Sequence, residues 1–191
     1  MNYTESSENK TYSKKDFSNQ DLTHKNYSEC VFENCNFSNV NFSNSKLENC
    51  KFILCNFSLS NFDKCRLHNI VFNECKFIGI QFFKTDKFLL SFQFNKCLID
   101  TCNFSDMQLK KTIFFESTLR RCDFNNTDLF ESNFKKANLE STSFHHANLS
   151  KADFSNAINY AINPFTNKLS KAKFSKPEVY SLLNFIDILI E

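Results

Sequence analysis

A large apolar residue returns every five positions along most of this chain. The beat runs through Phe17, Leu22, Tyr27, Phe32, Phe37, Phe42, Leu47, Phe52, Phe57, Phe62, Leu67, Phe72, Phe77 and Phe82. It resumes at Leu89 and continues through Phe94, Ile99, Phe104, Leu109, Phe114, Leu119, Phe124, Leu129, Phe134, Leu139, Phe144, Leu149 and Phe154. A period of five fits neither a helix, at about 3.6 residues per turn, nor a strand, at about two. It fits a solenoid, in which a unit too small to bury its own apolar side chain is covered by the units stacked on it.

Positions twenty apart match in kind. Phe32, Phe52 and Phe72 agree, as do Phe94, Phe114, Phe134 and Phe154. Four five-residue faces per coil would therefore stack like on like. The step from Phe82 to Leu89 is two residues too long, so the sequence predicts a bulge over Phe83, Lys84, Thr85, Asp86 and Lys87. Beyond it, Leu89 is expected to rejoin the core beneath Leu47 and Leu67. Phe92 falls in a slot that otherwise holds a small residue, so a distorted coil is expected there. With the two-residue correction, Glu74, Lys96, Glu116 and Lys136 form a column of alternating sign. Asp100, Arg120 and Glu140 form another, and Lys111, Glu131 and Lys151 a third. Coils about 4.8 Å apart bring such charges into contact.

All nine cysteines stand two places before a beat residue: Cys30, Cys35, Cys50, Cys55, Cys65, Cys75, Cys97, Cys102 and Cys122. Ala137, Ala147, Ala152, Ser45, Ser117, Ser132, Thr112 and Val40 share that phase. The slot takes small side chains, and Cys serves there as a small hydrophobe. No C-x-x-C spacing points to zinc or redox chemistry. Reduced, stacked thiols fit a reducing compartment. With a single glycine, the corners fall to Asn, Asp and Ser through local side-chain to backbone hydrogen bonds.

The stretches CNFSN, VNFSN, CDFNN, ANLES, ANLSK and ADFSN resemble the repeat A(D/N)(L/F)xx of the pentapeptide-repeat proteins. The resemblance implies an all-β fold, a right-handed quadrilateral β-helix of roughly eight coils and about 40 Å. The beat residue and the one two before it would point inward, the other three outward. Phe32, Phe52, Phe72, Phe94, Phe114, Phe134 and Phe154 would form one core ladder. Residues 12–174 are assigned to the β-helix, residues 1–11 to a polar lead and residues 175–191 to a C-terminal helix and tail.

After Phe154 the beat falters, with Asn159 and Pro164 at expected core positions. Ser175-Lys176-Pro177-Glu178 then reads as a capping box, with Phe174 and Val179 as a hydrophobic staple. Val179, Leu182, Leu183 and Ile186 follow at helical spacing, predicting a short α-helix. Phe185, Ile188, Leu189 and Ile190 add apolar surface. The segment has two readings, a cap on its own rod or a joint to a second copy. The chain resembles the bacterial quinolone-resistance (Qnr) and microcin-immunity (McbG) type of pentapeptide-repeat protein, which favours the homodimer.

No catalytic residues, cofactor site or metal ligands are visible. His24, His68, His145 and His146 lie outside any metal-binding or catalytic pattern, and one glycine leaves no phosphate loop. Contact with a partner is expected at the Phe83–Lys87 bulge, joined by the outward Phe115 and Phe130. The resemblance implies DNA gyrase or topoisomerase IV as partner, protected from quinolone or peptide poisons. The chain carries 23 basic and 21 acidic residues, net +2. A charge mimic of DNA is strongly acidic, so the implied mimicry is of shape. A protein-interaction scaffold without a topoisomerase role is the alternative. Neither direct nucleic-acid binding nor a membrane span is expected. The polar start, Met1 to Asn19, lacks the apolar core of a signal peptide, so a cytoplasmic location is expected.

Overall fold

The structure, a computed structural model, describes residues 6–188. The chain winds as a right-handed β-solenoid of about eight turns with one short helix. Every strand pair is parallel, and each pairs with the strand one coil away. Four faces result. Inward residues of the first face run from Tyr12 through Phe32, Phe52 and Phe72 to Phe94. Among the described residues, the second face begins at Phe17, the third at Leu22 and the fourth at Ser7, paired with Tyr27.

The first face is an unbroken column of rings. Centroid separations from Tyr12 to Phe174 are 4.8, 4.8, 5.3, 5.2, 5.4, 4.9, 4.9 and 5.2 Å. Rings on opposite faces meet edge-on across the interior, as Phe114 does with Phe104 and Phe124. Both geometries suit the aromatic quadrupole. All nine cysteines are free and buried in the slots expected of them. Burial pushes the Cys50 and Cys102 thiols up to about 12, so they remain protonated.

The residue before each inward position largely decides the shape of its unit. Where it is Asn or Asp, its side-chain oxygen accepts the amide two residues on. Ser18 donates to Asp16, Ser38 to Asn36, Asp63 to Asn61 and Asn125 to Asp123 at 2.9–3.1 Å. That bond tightens the unit into a turn with one bridge to each neighbouring coil. Where the residue is Val31, Lys46, Lys51, Arg66, Val71, Lys76, Leu98 or Thr118, the bond is lost and the unit straightens into a strand. Asn26, Gln108, Ile113, Ser143 and Asp153 are among the exceptions. Corners follow, with nearly every unit placing its last residue at positive φ. The left-handed turn costs roughly 1–2 kcal/mol per non-glycine residue. Coil-to-coil bonds such as Asn19 N–Ser38 O at 3.0 Å oppose that cost. Gly79 takes one such corner, where a Cβ would lie 3.2 Å from Leu59 Cδ2.

Four sequence expectations need correction. The solenoid begins before residue 12, because Ser6–Glu8 already pairs with Asn26–Ser28. Asn159 is exposed, and Tyr160 fills the core beneath Phe154 instead, 5.9 Å away. The short helix, Glu178–Phe185, is wound as 3₁₀ rather than α and has no side-chain cap. Ser175 Oγ and Glu178 Oε1 instead accept the amides of Asn156 and Asn159, at 3.1 and 2.5 Å. They tie the segment to the last full coil rather than forming a capping box. Ile186 is extended and lies outside the helix. Leu189 and Ile190 lie outside the described residues.

The stacked core predicts the cost of opening it. Phe114→Ala leaves a ring-sized gap in the first column and is expected to destabilise by about 3–5 kcal/mol. Chemical denaturation measures this directly, and a midpoint equal to wild type would contradict the ladder.

Candidate interaction faces

Counting forward from Phe82 locates the extra residues. The third-face unit around Phe82 stays in frame, wound as a single 3₁₀ turn over Phe82–Lys84. Asp86 still bridges Arg66, twenty residues back, while Phe92 pairs with Ile70, twenty-two back. The two additional residues are therefore Leu90 and Ser91, and the bulge lies after Lys87 rather than across Phe83–Lys87. Ser91 closes the ladder by accepting the Asn69 amide on Oγ at 2.8 Å and the Ile70 amide on its carbonyl at 3.1 Å.

This placement changes the roles of the predicted contact residues. Thr85 is buried, its Oγ1 donating to Phe82 O at 2.7 Å, so it is a core residue. Phe83 packs partly against the core on the third face, with Lys84 Nζ 5.9 Å from its ring. Asp86 pairs with Arg66 at 3.2 Å and accepts the Phe88 amide at 2.9 Å. Lys87 stands at the inward phase, where an ammonium has no partner, and turns out to donate to Asp106 O at 3.4 Å. Leu90 packs against the core nearby. Leu89, expected in the core ladder, is a corner at φ +53° and 58% exposed. Phe88 is 61% exposed, with Arg66 5.2 Å from its ring. Phe92 is buried beside Phe82 and Phe94 and stands in register with the buried Ile70.

Phe115 and Phe130 do not join the loop. Phe115 lies on the first face under Lys136, in a shallow groove of about 460 Å³ with Ile53 and Asn73. Phe130 lies on the fourth face under Lys151. A second groove, of about 210 Å³, runs beside Leu90 and Ser91 between Asn69 and Lys111. Phe88 and Leu89 were within reach of sequence reasoning, because forward counting puts them at outward phases.

The charge columns sort by face. Glu116 pairs with Lys96 at 3.8 Å and Lys136 at 2.8 Å. Glu131 pairs with Lys111 and Lys151 at 3.7 and 3.0 Å. Asp100 accepts both Arg120, at 2.8 Å, and Arg121, at 2.6 Å. Lys110 reaches Asp128 at 3.2 Å. Among the described residues, all these ion pairs and Arg66–Asp86 lie on the first, second and fourth faces. The third face carries Asp21, Asp63, Asp106 and Asp123 with no ion pair, against Lys64 and Lys84. Its remaining bridge positions are polar, with Asn41, Asn61, Gln81 and Asn103 in line. Net charge conceals this row. No group of three His, Cys, Asp or Glu among the described residues is placed to hold a metal. No helix among them is long and apolar enough to cross a membrane.

Two family descriptions match the chain, "Pentapeptide repeat region" over residues 25–101 and "Pentapeptide repeats (8 copies)" over residues 122–158. Together they span more than half of it, and the chain belongs to the pentapeptide-repeat family. No curated protein sequence matches it significantly. Among solved structures it is similar to two trypsin-treated forms of QnrB1, a plasmid-mediated fluoroquinolone resistance protein. One is 17% identical over 97% of this chain and 100% of that one, with a TM-score of 0.60. The other is 21% identical over 98% and 91%, with a TM-score of 0.57. Full-length QnrB1 is 20% identical over 97% and 91%, with a TM-score of 0.50.

The paired carboxylates predict an acid limit to stability. Burial raises the carboxyl of Asp100, but bonds from Thr101 and Arg120 and the charge of Arg121 outweigh it and hold it below the usual 3.8. Lys136 lowers Glu116 and Lys151 lowers Glu131 from 4.5. A depressed carboxylate stabilises the fold above its unfolded value and loses that share as pH falls through the folded one. The melting temperature should hold from neutral pH to about 5 and drop below about 4. Asp100→Asn should lower the neutral-pH Tm by on the order of a few degrees and flatten part of the acid drop. An acid limb unchanged in the variant would remove Asp100 from that account.

Proposed function

We propose that this protein is a non-enzymatic binding rod that engages a type II DNA topoisomerase, DNA gyrase or topoisomerase IV, and protects it from quinolone or peptide poisons. The observation that carries the reading is the similarity along nearly the whole chain to a fluoroquinolone resistance protein. The mechanism is imitation of duplex DNA by a rigid rod. The unpaired carboxylates of the third face give that rod one acidic side, which a basic DNA-binding groove attracts. The other three faces carry the ion-paired columns and contribute shape.

The rod acts as a homodimer joined through its C-terminal ends. Leu182 packs on the core of its own coil, so part of the helix serves as a cap. Tyr180, Phe185, Ile186 and Ile188 remain exposed on the same segment, with Ile158 and Phe165 nearby in the last coils. That apolar surface exceeds what one cap uses and suits a two-fold contact. Deleting residues 175–191 should convert a dimer into a monomer by light scattering, and an unchanged mass would refute the joint.

A protein-interaction scaffold is the second reading, favoured by the Phe88–Leu89 corner, whose apolar side chains have no counterpart on a DNA-like surface. A gyrase supercoiling assay with a quinolone separates the two. The wild-type protein should restore supercoiling, Asp63→Lys with Asp123→Lys should weaken that protection, and Phe88→Ser with Leu89→Ser should leave it intact. Wild-type protein without effect at large molar excess would leave the scaffold reading.

A further inference from the structure

We propose that the N-terminal end of the rod is a coil-stacking surface held shut by lysines, the excluded occupant being a coil of a second copy of this chain. Two strands border this end, β1 (Ser6–Glu8) and β2 (Thr11–Ser13). Among the described residues, each is the edge strand of its sheet, paired on one side only. The first coil's carbonyls already accept the second coil's amides. Val31 donates to Lys10, Asn36 to Lys15, Asn41 to Gln20 and Lys46 to Lys25, at 2.9–3.1 Å. The opposite edge presents the same backbone pattern outward. The ring columns also end here, Tyr12 stacked on Phe32 and Phe17 on Phe37, each at 4.8 Å with its other face toward the end. Unpaired edge and open ring faces together form a template for one more coil.

The departure lies in the small-residue slot. In the second coil that slot holds Cys30, Cys35, Val40 and Ser45, all buried. Twenty residues earlier the same four slots hold Lys10, Lys15, Gln20 and Lys25. Lys10, Lys15 and Gln20 are exposed and Lys25 is half-buried. A coil added from another molecule would enclose the ammonium groups of Lys10 and Lys15, where later coils enclose uncharged side chains; Lys25 belongs to the unit that β1 already covers. A charge aimed at the core layer of an edge is a device by which β-proteins prevent edge-to-edge growth.

The test compares the full chain with Lys10→Ala/Lys15→Ala and with Lys10→Glu/Lys15→Glu. Sedimentation velocity across a hundredfold concentration range gives mass, and negative-stain microscopy gives shape. The wild-type mass should not change with concentration. The alanine variant, its far-UV β signal retained, should grow with concentration into straight end-to-end filaments of rod width. The glutamate variant should keep the wild-type mass, because charge and not lysine itself does the blocking. An alanine variant with the wild-type mass throughout would overturn the proposal. So would growth in the glutamate variant, or growth that appears only as amorphous particles with the β signal lost.

Discussion

Everything in this rod depends on one ring resting on another a coil away. Backbone ladders set a spacing of about 4.8 Å, and the stacked centroids of the first face keep within 4.8–5.4 Å. A ring finds its partner only if each coil returns to the same place after four units. The period of twenty is thus a packing requirement, not only a feature of sequence. It also explains how an insertion is tolerated. Leu90 and Ser91 are absorbed within the fourth face, and Phe94 stacks on Phe72 at 5.2 Å as though nothing had intervened. The cost appears locally, as Lys87 turned out of the core and Leu89 exposed at a corner.

With the interior committed to packing, the outward positions carry whatever function the chain has. They are read as columns, since a residue faces its counterpart one coil away more closely than its neighbours in sequence. On three faces the columns pair acid with base, and each exposed pair contributes well under about 1 kcal/mol. Their common effect is to neutralise the carboxylates of those faces. The third face departs from the rule, because Asn41, Asn61, Gln81 and Asn103 stand between Asp21 and Asp123 where other columns place lysine. A near-neutral chain can in this way present an acidic side, which composition averages away.

The fold was legible in the sequence because its signal is repeated in every unit, so Asn159 or Lys87 could break it without hiding it. The inward phase, the thiol slots and the charge columns all follow from counting in fives. Counting failed where two frames meet. Reading backward from Phe94 placed Leu89 in the core, whereas the Asp86–Arg66 bridge and the corner at Leu89 hold the earlier frame through residue 89. The helix was legible as an apolar stripe but not as 3₁₀, because Ser175 and Glu178 bond to the preceding coil instead of capping their own turn. The acidic face was present in the sequence but emerges only once columns are assigned to faces.

A solenoid that templates its own growth needs two different endings. At the C-terminus Tyr160 and Leu182 fill the last core layer, and the chain folds across it, leaving an apolar outer surface. At the N-terminus nothing among the described residues lies across the rings, and charge occupies the slots that a further coil would enclose. The two solutions complement each other. In the proposed dimer, rods joined at their C-terminal ends turn both N-terminal ends outward, where an unguarded edge would convert a closed two-fold pair into an open filament. Lys10 and Lys15 would keep such an assembly finite without adding a residue to the core.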